Sequence, residues 1–144
     1  ISFLFVPILF KENKANFILA IIGSLCFFIG SMFFAGVGFT PYDVFFDLHV
    51  FFALNSFKLM IPASLIYLIV FLRSSLEIKY ISVIASFLLL VTGYVIYLNF
   101  GENPLTNKEA MITSATIQKF IAFMSVASVF SLSYGFSKRI TNAK

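Results

Sequence analysis

The chain has 144 residues, 60% hydrophobic and 11% charged, with 10 Lys and Arg against 6 Asp and Glu for a formal net charge of +4. Soluble domains are about half apolar and about a quarter charged, so this composition excludes a soluble globular domain, a disordered chain and a nucleic-acid binder. The apolar residues fall in long blocks, the pattern of bilayer-crossing helices, and predict an all-α, polytopic transmembrane helical bundle of four spans behind a partial N-terminal apolar segment, forming one integral membrane domain over 1–144.

The partial segment comes first. Residues 1–10, ISFLFVPILF, stop at Lys11. Ten helical residues reach about 15 Å, half of a ~30 Å hydrocarbon core. The segment is either the end of an earlier part of the chain or a short interfacial piece. No basic residues precede its apolar stretch, which argues against a signal peptide.

The four spans are expected at 16–38, 48–72, 80–100 and 116–136. Helices are required because lipid cannot satisfy free backbone groups. Short connections, 39–47, 73–79 and 101–115, make neighbouring helices antiparallel. Lys11, Lys14, Arg73, Lys79, Lys138, Arg139 and Lys144 all fall on one side, and only Lys108 lies in the loops of the other. The positive-inside rule then places the first side and the C-terminus in the cytoplasm. The net charge is thus a topology signal, with a lesser reading as contact with anionic lipid.

Within the first span, Gly23 and Gly30 are seven apart and Ala20 and Ser24 four apart. Such spacing lets helices approach closely. Cys26, the single cysteine, cannot form an internal disulfide or a CxxC site.

The second helix carries two polar lines in an otherwise apolar cylinder. Thr40-Pro41-Tyr42-Asp43 reads as its start, with Thr40 capping, Pro41 in the first position and Asp43 in a capping box. That start puts Asp43 and Asp47 on one face. Lys58 then falls within about 20° of the azimuth of Asp47, three turns deeper. His49 and Ser56 share the roughly opposite face, with Asn55 between the two lines. Intramembrane ionisable residues are functional candidates. For Lys58 the competing reading, a snorkelling or structurally paired lysine, is the stronger. His49 reads first as a hydrogen-bonded packing residue. Asp43 reads as a cap, which leaves Asp47 to pair with Lys58 or Lys119. Pro62 frees the carbonyl of Lys58, which Ser64 or a neighbouring helix would satisfy.

The third span carries Thr92, Gly93, Tyr94, Tyr97 and Asn99 toward its outer end and is otherwise featureless. The fourth is expected to open near Gln118 and Lys119, where Lys119 would snorkel outward. Its Ser125, Ser128 and Ser131 read as a packing surface or the wall of a polar cavity. One histidine supports neither a bis-histidine haem nor a multi-histidine metal site. No cofactor or metal is expected.

The stretch Gly38-Phe-Thr-Pro41-Tyr-Asp43, followed by His49 and Ala53, resembles a large multi-pass family related to the DRAM-type (damage-regulated autophagy modulator) membrane proteins. In that family a P-x-D segment leads into a helix opening with His, and a later helix often opens with a Gln-basic pair, which Gln118-Lys119 matches. The resemblance covers roughly 16–136. It implies a helical bundle with this topology and further helices ahead of it, without an agreed biochemical activity.

Three functions compete. The first is a non-enzymatic structural or accessory subunit whose partners are membrane lipids and other membrane protein subunits. The second is a transport or proton-handling component built on Asp47, His49 and Lys58. An intramembrane lipid hydrolase ranks last, because one histidine gives too few ligands for a metal-activated water.

Overall fold

The computed structural model describes residues 4–142, with side chains as far as 137. Among these residues the chain is all-α. A short 3-10 helix, Val6–Phe10, precedes α1 (Lys14–Phe39), α2 (Phe46–Leu72), α3 (Ile78–Phe100) and α4 (Lys108–Asn142). All four α-helices are long and apolar enough to cross a bilayer. They identify an integral membrane protein. The helices separate into two compact units, Ile1–Ser75 and Leu76–Lys144. Of the cations assigned to the inner side, Lys144 and the side chains of Lys138 and Arg139 lie outside the described residues.

The first unit is an antiparallel hairpin of α1 and α2. On α1 the buried residues Asn16, Ala20, Gly23, Phe27 and Gly30 recur at alternating steps of four and three. On α2, Ala53, Ser56, Met60, Ala63, Tyr67 and Val70 do the same. This is the seam of two helices packed at a shallow angle. Gly23 lies against Tyr67, where an added Cβ would come within 3.1 Å of the ring, and seven residues on Gly30 faces Leu59 and Met60. The small residues read from the sequence thus serve packing within the chain. The 3-10 helix closes one end, burying Val6, Pro7 and Phe10, with Phe10 stacked on Phe71 at 6.1 Å.

The second unit pairs α3 with α4. Tyr80, Ile84, Phe87, Val91 and Tyr94 form the seam of α3. Ala110, Ser114, Ile121, Ser128 and Leu132 answer them on α4. Gly135 admits the ring of Tyr80.

Away from the seams the surface is aliphatic and aromatic. Phe123 is 66% exposed and Phe130 75%. Polar side chains between them return their hydrogens to their own helix. Ser31, Asn55, Ser82, Asn99, Thr116 and Ser125 each donate to the carbonyl four residues earlier. A donor with no water nearby is satisfied in this way at little cost to the helix.

Two helix starts differ from the sequence reading. Thr40 does not cap α2. It is the C-cap of α1, and its hydroxyl donates to the Gly36 carbonyl at 2.8 Å. Residues 41–45 turn the chain, with the amides of Val44 and Phe45 bonded to the Pro41 carbonyl. A threonine hydroxyl serves a preceding carbonyl as readily as a following amide, and here the preceding helix claims it. The fourth helix begins at Lys108, eight residues before the expected 116. Asn107 caps it, its side-chain oxygen accepting from the amides of Glu109 and Ala110. Hydropathy marks where a helix enters lipid and is blind to the polar turns before that point.

Candidate functional site

The residues singled out on α2 do not converge. Asp43 stands exposed in the 41–45 turn, off the helix. With α2 starting at Phe46, Asp47 falls in the first helical turn, exposed to solvent. There its carboxylate faces the positive end of the helix dipole. The shared face expected for Asp43 and Asp47 is therefore absent, and Asp47 acts on the helix dipole without the capping hydrogen bond expected of Asp43. His49 is half-buried, its Nδ1 2.6 Å from the carbonyl of Thr40. A carbonyl only accepts, so Nδ1 carries the proton. The imidazole also meets the Tyr42 ring edge-on at 5.6 Å. His49 thereby ties the start of α2 to the end of α1.

Deeper in α2, Asn55 bonds to the Phe51 carbonyl of its own helix. Ser56 is fully buried against α1, and among the described residues its hydroxyl has no hydrogen-bond partner. Ser64 is buried and equally unpartnered. It does not satisfy the Lys58 carbonyl freed by Pro62, because its hydroxyl makes no hydrogen bond. Lys58 is exposed. Asp47 and Lys58 form no ion pair; among the described residues the salt bridge is between Glu77 and Lys79, at 2.5 Å. Their azimuths agree, but eleven residues separate them by about 16 Å along the axis, beyond the reach of a lysine and an aspartate side chain.

On α4, Gln118 and Lys119 lie about three turns in and do not open the helix. Lys119 is exposed. Gln118 takes part in a cluster that sequence reading missed. Its Nε2 donates to the Tyr94 hydroxyl at 2.6 Å, and that hydroxyl shares a 2.8 Å hydrogen bond with Ser114 Oγ. The first unit holds a counterpart. Tyr67 and Ser24 share a 2.6 Å hydrogen bond, and the Tyr67 hydroxyl also donates to the Ala20 carbonyl at 3.3 Å. In both hairpins a seam tyrosine reaches a serine on the facing helix. The available signal was a tyrosine at a heptad position, where a buried hydroxyl gains from a partner on the facing helix, although the hydroxyl of Tyr80 on the α3 seam is buried without a hydrogen-bond partner among the described residues.

Chemically, these contacts clamp helices. Among the described residues no three of His, Cys, Asp and Glu come together as metal ligands. Comparison with protein-family models, with curated proteins and with solved structures finds no match to this chain.

Proposed function

We propose that this chain is a non-enzymatic subunit of a larger membrane assembly, working through contacts with lipid and with other transmembrane helices. In this reading the 41–45 and 101–107 turns face the exterior. The 73–77 turn and the C-terminus face the cytoplasm, following the cationic residues.

The observation that carries the proposal is where the polar side chains go. Tyr67, Ser24, Tyr94, Ser114, Gln118 and His49 form hydrogen bonds that fasten one helix to the next. A transport or proton-handling site needs ionisable groups gathered around one path. Here Asp47 sits at the helix start, His49 is held by the Thr40 carbonyl, and Lys58 is exposed and far below both. What the fold presents outward is apolar surface, as on α4 with Phe120, Phe123, Val126 and Phe130. Such surface suits lipid or another helix.

Native mass spectrometry of the detergent-extracted protein tests the reading. The expected spectrum shows this polypeptide in complex with others. A polypeptide released with lipid alone under the gentlest activation overturns the assembly reading.

A further inference from the structure

The face of α2 opposite the α1 seam has its own alternating three-and-four pattern. Phe51, Asn55, Lys58, Pro62, Leu65 and Ile69 form one stripe, with Asn55 half-buried and the others exposed. A seven-residue repeat on a second face is the geometry of a second helix contact. At its middle stands a cation.

The depth of that cation decides what can cover it. Helix α2 runs 27 residues, about 40 Å, and centred in a ~30 Å core it projects roughly 5 Å on each side. Lys58 lies twelve residues after Phe46, about 18 Å along the axis, and hence some 13 Å below the hydrocarbon edge. A fully extended lysine snorkels roughly 6 Å, which leaves the ammonium inside the hydrocarbon. Pro62, one turn further on the same stripe, offers no N–H to the Lys58 carbonyl. The stripe thus presents a cation and a carbonyl released from its helical partner.

These residues cannot supply a countercharge. The six carboxylates are Glu12, Asp43, Asp47, Glu77, Glu102 and Glu109. Each lies in a turn or in the first turn of a helix. None stands at mid-depth in any span, so a second copy of the same sequence brings none either.

We propose that the Lys58 stripe of α2 receives a transmembrane helix carrying an Asp or Glu at mid-bilayer depth, one that is not among these 144 residues. The carboxylate neutralises the lysine in lipid, and Phe51, Leu65 and Ile69 pack along the same helix. This identifies the kind of partner required by the assembly reading, on which it rests.

The test uses polyleucine transmembrane peptides with a single central Asp, Leu or Lys in phosphatidylcholine vesicles. Association with the labelled chain is read by energy transfer. The unmodified chain is expected to bind the Asp peptide about fivefold or more tightly than the Leu peptide and to disfavour the Lys peptide. Lys58→Met removes the preference while Lys58→Arg and Lys119→Met keep it, with circular dichroism confirming helical content. Equal binding of the Asp and Lys peptides, or a preference surviving Lys58→Met, overturns the proposal. So does transfer between two labelled copies of the chain that Lys58→Met abolishes, because it assigns the stripe to self-contact. Indifference to the central residue rejects the acidic partner alone, whereas a lone polypeptide in the native mass spectrum rejects the assembly itself.

Discussion

At the scale of single residues, the two tyrosine–serine contacts are the decisive polar interactions. Both hydroxyls are removed from water, so each must find a partner or destabilise its hairpin. Tyr67→Phe takes away the hydrogen bonds to Ser24 and to the Ala20 carbonyl. The expected loss is about 0.5–1.5 kcal/mol, the range of interhelical hydrogen bonds within membranes. A double-mutant cycle with Ser24→Ala, read by unfolding in detergent micelles, should return a coupling of that size. Additive single effects would show that the pair is a contact without energetic consequence. Lys58, His49 and Gln118 were visible in the sequence as polar residues in apolar runs. Tyr67 was not, and Tyr94 was visible only as a feature of the outer end of its span, because a tyrosine in a hydrophobic stretch counts as apolar until the facing helix shows what its hydroxyl touches.

At the scale of elements, glycines set how closely α1 and α2 approach, and they are not equivalent. A Cβ on Gly36 would lie 2.7 Å from the ring of Phe52, and one on Gly30 no closer than 3.4 Å to Leu59. Phe52 has little room to yield, with its ring packed on those of Phe33 and Phe51. Gly36→Ala is therefore expected to cost about 1–3 kcal/mol through overpacking. Gly30→Ala should be neutral or stabilising by up to about 1 kcal/mol, from the backbone entropy that glycine loses in a helix. Thermal melts of the two variants in one detergent, compared with the parent protein, settle the order; a greater loss at Gly30 contradicts this packing. The existence of each helix followed from hydropathy, whereas the starts of α2 and α4 did not. Helix ends are decided by local hydrogen-bond competition. Thr40 served the carbonyl of Gly36 and Asn107 the amides of Glu109 and Ala110.

At the scale of the whole molecule, the proposed orientation in the membrane rests on charge. Lys11, Lys14, Arg73 and Lys79 belong to one set of helix ends, and the proposed topology puts these ends in the cytoplasm. Single cysteines introduced as Ser75→Cys and Asn103→Cys, in a Cys26→Ser background, check it. A membrane-impermeant maleimide should label position 103 in intact cells and position 75 only after permeabilisation. The reverse pattern inverts the topology and with it the outward placement of the 41–45 turn.

Composition and apolar run length were enough to determine an all-α membrane protein with four long spans, because lipid admits few solutions to backbone hydrogen bonding. The heptad spacing of small residues was likewise legible, since it is a local property of one helix. Tertiary structure alone decided which polar groups meet. Asp47 and Lys58 share an azimuth yet stay apart, while Tyr94, Ser114 and Gln118 come together from two helices. Side-chain pairing depends on the register of one helix against the other, and that register is not written in the periodicity of either one.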